Sequence, residues 1–283
     1  MAAKKETKKE VATVEEAALP DYLQNYTGPT GAEGIDREDV TVPRIKLAQG
    51  TSQEVKDGEL NEGDLFLNVT GEVLCAAGDK LRFIPVVQGK EFILWRDRKD
   101  GGGIMARAKP VVVAGQRRYA WDKPNCDFEH KVDGKTKVKW TTAQYIDEDG
   151  LDQWGSEIPG NDESGIAATA HHNYVVALPD FDYMVVALSL SRSQSKKAKD
   201  LNAMLKLGTL PIFARIFTAT AIDETNSDGE GYKNYGFKPA GVLQDGAKFE
   251  HFKAVNAEYT ATGFTVDQSD EDSGEQDGEG DGF

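Results

Sequence analysis

Between residue 39 and about residue 190 the apolar positions fall in short runs broken by turn residues, a strand pattern with no helical period. "VTVPRIKLAQG" opens this body, and "DLFLNVTGEVL" alternates loosely and breaks at Gly71. "LRFIPVV" and "EFILWR" are two β-rich runs separated by "QGK", which reads as a hairpin. "WRDRKDGGGIMARA" sets a polar, triple-glycine turn between extended runs. "HKVDGKTKVKW" holds Asp133-Gly134, a two-residue hairpin signal; beyond it Val138 and Trp140 share one face, Lys137 and Lys139 the other. "NYVVALPDFDYMVVALSL" reads as two apolar strands joined at Leu178-Pro179-Asp180.

The period changes in "SRSQSKKAKDLNAMLKLG". Ala198, Leu201, Met204 and Leu205 fall on one helical face, with Lys196, Lys199 and Lys206 roughly opposite. Serines at its start are able to cap, and Gly208 suits its end. "LPIFARIFTATAI" reads as another strand, and "AKFEHFKAVNAEY" as a second, weaker helix with Phe249, Phe252, Val255 and Tyr259 inward. No fixed-period repeat is present. The expected fold is mainly β: an antiparallel OB-like barrel with insertions, one or two packed α-helices and disordered termini. The expected organisation is a flexible leader (1–38), with a short helix near Val14–Ala18 stopped by Pro20, a β-rich domain (39–264) and a disordered acidic tail (265–283).

Charge changes this picture more than composition does. The net charge of -15 is segregated: the run from Asp267 onward carries -8, residues 80–139 carry a net +8, and residues 186–220 a net +5. A body with basic stretches joined to an acidic run suggests a polyanion partner and an interaction tail. No run of about 18 apolar residues spans a membrane, and the N-terminus lacks a secretory h-region. Cys75 and Cys126 make no disulfide scaffold, so the expected compartment is the cytoplasm, the host's if the chain is phage-encoded.

Enzyme motifs are thin. "GVLQDGAKF" fails as a phosphate loop, and no G-x-S-x-G or H-E-x-x-H occurs. Cys126, His130, His171 and His172 lack zinc spacing. Glu129-x-Lys131 with Asp122 and Asp127 is compatible with a metal-dependent nuclease, the enzyme alternative to a non-enzymatic reading without cofactor or metal.

Basic residues interleaved with aromatics form the stronger constellation. Single-stranded nucleic acid is gripped by cations for its phosphates and flat rings for its bases. The chain supplies Trp95, Arg96 and Arg98, then Arg107, then Arg117, Arg118, Tyr119 and Trp121, then Lys137, Lys139 and Trp140. Trp95, Tyr119, Trp121 and Trp140 are the stacking candidates. Arg192, Lys196, Lys197 and Lys199, with Ser193 and Ser195, make a second candidate at a helix start.

The final run, "DQSDEDSGEQDGEGDGF", resembles the C-terminus of bacterial and bacteriophage single-stranded DNA-binding proteins. The bacterial tail usually has Pro before its terminal Phe; here Gly282 stands there. "VPRIKLAQG" and "GDLFLNVTGEVL" resemble uncharacterised bacteriophage proteins. The resemblance implies an OB-fold core binding single-stranded DNA in replication or recombination. It implies a tip, Asp277, Glu279, Asp281 and Phe283, that docks on replication or recombination proteins and lies over the protein's own groove when DNA is absent. A homo-oligomer is compatible with it. A phage virion or assembly protein without DNA affinity is the other alternative.

Overall fold

"QGK" does not turn. Leu81–Trp95 forms one 15-residue strand, β4, and the rest of the molecule is arranged along it. The computed structural model describes residues 42–226, 229–264, 266 and 268. The leader and the acidic tip therefore lie outside the described residues.

Before β4 come β1 (Arg44–Leu47), the one-turn helix α1 (Gln53–Lys56), β2 (Leu65–Leu67) and β3 (Val73–Cys75). After it come β5 (Ile104–Val113), β6 (Gln116–Trp121), β7 (Asp127–Val132), β8 (Thr136–Thr141), the one-turn helix α2 (Ile146–Asp149), β9 (Ala168–Leu178) and β10 (Met184–Leu190). Helix α3 (Ser195–Leu207), β11 (Arg215–Thr225), β12 (Gly231–Val242) and helix α4 (Gly246–Thr262) follow.

The main sheet runs β12-β11-β4-β9-β10-β1-β2-β3, with β5 added to the far half of β4 and β6 to β5. The fold is mainly β with few helices, a curled half-barrel. One pairing departs from the antiparallel expectation: β1 lies parallel to β10, with Arg44 opposite Ala187 and Ile45 opposite Leu188. Alternation says which face a side chain takes, not which way the strand runs, and a long connection permits either direction. Among the described residues the curl is also not closed by a backbone ladder. The Gln49 amide spans the seam instead, donating to Lys233 O at 2.9 Å and accepting from Lys233 N at 3.1 Å.

Alternation along the strands sorts the apolar residues into cores. On one face Leu81, Phe83, Tyr174, Val176, Leu188 and Phe217 pack under α3, whose Ala198, Leu201 and Leu205 point inward. Tyr174 donates its hydroxyl to Asn202 Oδ1 at 2.8 Å, tying β9 to α3. On the other face Ile84, Val87, Val175 and Ala177 pack on Phe252 of α4. A third cluster, around Phe92, Leu94, Trp121, Val138 and Trp140, fills the far end of β4 beneath the β7–β8 hairpin. Asp133 and Gly134 turn that hairpin at φ 53° and 67°, the left-handed values its type requires.

Two glycines hold positions for reasons a turn reading misses. A Cβ on Gly89 would lie 3.1 Å from Phe264 Cε1, so the glycine makes room for the chain leaving α4. Gly208 ends α3 without a left-handed turn. The Arg215 guanidinium occupies the space beside it and caps the helix, donating to Met204 O at 2.8 Å and Leu205 O at 3.2 Å. No side-chain hydrogen bond caps the start of α3; a 3-10 turn, Arg192–Gln194, leads into it. Asp245 does cap α4, accepting from Ala247 N and Lys248 N at 2.8 and 3.0 Å.

Candidate nucleic-acid interface

The tryptophans correct the sequence reading first. Trp121 and Trp140 are 4% and 3% exposed, packed in the third cluster. Their indole N–H groups are satisfied inside the protein, by Asp149 Oδ2 at 2.6 Å and Glu157 O at 3.1 Å. Neither ring is available to stack on a base. Alternation explains Trp140, which faces inward while Lys137 and Lys139 face out; Trp121 shares its strand face with Tyr119 and Arg117 and is buried because it ends β6 inside the cluster. Trp95 is half-buried, its Nε1 3.4 Å from His171 Nε2. Trp154, which has no basic neighbour in sequence, is the exposed tryptophan at 49%.

The predicted cations divide between the two sides of the sheet. On the α3 side, Lys90 of β4 points over Phe92, its Nζ 4.2 Å from the ring centroid and 5.5 Å from that of Tyr119. Arg117 lies 5.8 Å from the same Tyr119 ring, which meets Phe92 edge-on at 4.9 Å. Lys199 of α3 is close enough to lower the pKa of Lys90, after burial, its largest cause. Lys90 sits opposite His172 on β9. Burial, then Lys90 and Lys199, bring His172 down to about 4, so it is neutral at pH 7. Arg117, Tyr119 and Lys199 are thus gathered around Lys90, which the sequence reading placed in a turn.

On the α4 side, Arg107 pairs with Glu91 at 3.1 Å; Glu91 accepts from Asn173 at 2.7 Å, and Asn173 from Ser189 at 2.7 Å. This polar row crosses β5, β4, β9 and β10. Beside it opens a cleft of about 70 Å³ whose lining includes Arg44, Lys46, Arg98, Arg192, Ser189 and Ser193. Arg98 and Arg192 were singled out from sequence; Arg44 and Lys46 were not, although "RIKL" alternates and puts both opposite the core residues Ile45 and Leu47.

The other candidates stay apart. Arg118 binds Asp147 at 2.7 Å and Glu148 at 2.8 Å and covers Tyr145 at 3.9 Å. Lys139 pairs with Asp127 at 2.7 Å, and Lys197 with Glu224. Lys137 and Lys139 border a depression that also holds Asp100 and Glu129, so its charge is mixed. Arg96 and Lys196 are exposed. Asp277, Glu279, Asp281 and Phe283 lie outside the described residues.

Residues 11–263 match the family described as Pam3 phage gp34-like protein. The chain belongs to that family. The match spans every element from β1 to α4 and stops at Gly263, short of the acidic run. The Pam3 phage gp34-like family is phage-derived, which agrees with the phage character read from the body segments. No curated protein and no solved structure matches.

In this family member, Glu129 and Lys131 lie on the exposed side of β7. Among the described residues no group of three or more His, Cys, Asp or Glu side chains is placed to hold a metal ion. His171 and His172 point to opposite faces of β9, as adjacent strand residues must. Both cysteines are free thiols; burial, Asp79 and Asp64 push Cys75 up. No described helix is long and apolar enough to cross a membrane.

Proposed function

We propose that this phage-type protein binds single-stranded DNA without sequence preference, in phage replication or recombination, and is not an enzyme. One observation carries the reading: two cations, Lys90 of β4 and Arg117 of β6, flank the half-buried ring of Tyr119, and Lys199 of α3 lies close enough to Lys90 to act on its charge. A ring flanked by cations suits a base stacked beside its phosphates. The terminal run with Asp277, Glu279, Asp281 and Phe283 would recruit partner proteins.

The test is fluorescence anisotropy of a labelled poly-dT oligomer across a salt series, on the full chain and on Lys90→Glu and Lys199→Glu. Cation–phosphate contacts make affinity fall steeply as salt rises, and each charge reversal weakens binding and flattens that slope. Absence of binding down to low salt would sink the proposal and favour a virion or assembly role.

A further inference from the structure

Two exposed features have no part in the patch around Tyr119. The first is the connection from α2 to β9, residues 150–167. Its own hydrogen bonds hold it as a compact loop. Ala168 N donates to Leu151 O at 2.8 Å, Gly155 N to Ser164 O at 2.9 Å, and Glu157 N to Gly165 O at 3.1 Å. The Ser164 hydroxyl accepts from Ile158 N at 3.0 Å, and the Ser156 hydroxyl from Ala167 N at 3.0 Å. Two large apolar side chains of this loop nevertheless face solvent, Trp154 at 49% and Ile166 at 38% exposed. Their neighbours Gly155 and Gly165 share a backbone hydrogen bond of 3.1 Å, so the two side chains rise from adjacent positions. A Cβ on Gly155 would lie 3.2 Å from Asp162 Cα, which seats Asp162 against the residue after Trp154. Asp162 and Glu163 are exposed, and no described cation pairs with either. No Lys or Arg occurs between residues 142 and 191. The loop is thus a rigid knob with an apolar tip and an acidic rim.

The second feature is the depression on the β7–β8 hairpin, about 400 Å³. That volume lies within the roughly 300–1,000 Å³ of pockets that enclose a small organic group, and an indole is at the small end of such groups. Lys131 and Lys137 border it and stand directly opposite each other across the ladder. Like charges in that position are destabilising unless an anion comes to them. Among the described residues no carboxylate side chain pairs with either ammonium group. The carboxylates nearby are engaged elsewhere. Asp100 accepts from the Lys131 backbone N–H at 3.0 Å, and Asp127, 2.7 Å from Lys139, followed by Glu129, raises the pKa of Lys139. Val138 and His130 also line the depression, and His130 Nδ1 is buried with no hydrogen-bond partner among the described residues. Trp154 does not line it, so within one chain the knob and the depression do not meet.

We propose that the Trp154 knob of one copy docks in the Lys131–Lys137 depression of a second copy, so that the chain associates with itself head to tail. The two surfaces complement each other in shape and charge. The indole fills the depression, and Asp162 and Glu163 come to the two ammonium groups that lack a partner of their own. Tryptophan seated in a pocket with a polar rim is the kind of residue that carries most of the energy of an interface. Ammonium groups at the edge of the pocket also meet the face of the ring. The knob is already fixed by its internal hydrogen bonds, so docking orders little that was free. Each copy contributes a different surface, so a pair still offers one knob and one depression, and association continues unless the rotation closes a ring. Neither surface uses Lys90, Arg117 or Tyr119, and the proposal stands with or without the DNA reading.

Sedimentation velocity on the full chain tests it, over a range of protein concentration at low and at high salt. The average mass of the unaltered chain rises with concentration, and high salt weakens the rise because the paired charges are at the surface. Two variants remove one surface each: Trp154→Ala the knob, and the double change Lys131→Glu with Lys137→Glu the depression. All three side chains are exposed, so folding, checked by thermal melting, is retained. Each variant alone associates at least tenfold more weakly. An equimolar mixture of the two contains one intact knob and one intact depression, and it forms pairs that neither variant forms alone. If the unaltered chain keeps its single-chain mass throughout, the proposal fails. It fails also if Trp154→Ala associates as the unaltered chain does, since something other than the knob then joins the copies. A mixture that stays at single-chain mass overturns it as well, because the two surfaces are then not each other's partners.

Discussion

Tyr119 and Trp121, two residues apart, have opposite expected outcomes on truncation. Tyr119→Ala loses its edge contact with Phe92 but leaves the chain folded, and it weakens single-stranded DNA binding by about 1–3 kcal/mol, the worth of one stacked base, read by anisotropy. Trp121→Ala opens a cavity in the third cluster and removes the indole donor to Asp149, so it lowers unfolding free energy by about 3–5 kcal/mol in a denaturant melt. The histidines give a pH test. His172 is held near 4 in the fold, while an unfolded histidine titrates near 6.5. As pH falls between those values the unfolded chain gains a proton that the folded chain refuses, so stability present at pH 7 is lost through that window, by roughly 3 kcal/mol for this group. His171, shifted the same way, adds to the loss. Melting temperature should drop from pH 6.5 to pH 4, and His172→Asn should flatten part of that drop. Among single residues the sequence was a poor guide to exposure. Basic neighbours do not mark an exposed ring: Trp140 turns inward as Lys137 and Lys139 turn out, and Trp121 is buried at the end of β6 on the same face as Arg117. Trp154 carries no such flag and is the most exposed of the four.

Elements were more legible than side-chain roles. Strands β9 and β10, the Asp133-Gly134 hairpin and helices α3 and α4 stand where periodicity and turn chemistry put them. The failure at "QGK" is instructive, because a glycine between two β-rich runs has the composition of a turn. Gly89 instead lies flat in β4 with the Phe264 ring against it, a contact 175 residues away in the chain and invisible to local pattern. Gly89→Ala should therefore destabilise by about 1–3 kcal/mol through crowding, and Phe264→Leu should relieve most of that cost. A double-mutant cycle by chemical denaturation measures the coupling; additive effects would show that the ring is not what the glycine accommodates. The seam makes a second prediction. Gln49→Ala removes both hydrogen bonds to Lys233 and leaves that part of β12 without its side-chain rung. Amide exchange at Lys233 should rise, with a loss of about 1–3 kcal/mol.

At the scale of the molecule, charge segregation was readable from the chain, and its division in space was not. Basic residues that seemed one set lie on two sides of one sheet, because adjacent strand positions alternate: Lys90 belongs to one side, and Arg107, with Glu91, to the other. The parallel placement of β1 was equally hidden, and it bears on how the chain is made. Strand β1 is held between β2 and β10, and β10 ends at Leu190. On a ribosome adding about 5–20 residues per second, β1 and β2 wait on the order of ten seconds for that partner. Throughout that interval Ile45, Leu47, Leu65 and Leu67 have no core to enter, and β1 offers an unpaired edge to any neighbouring chain. Late closure of this kind makes folding slow for the chain's size, and it places the period of greatest aggregation risk before residue 190 is synthesised rather than after release.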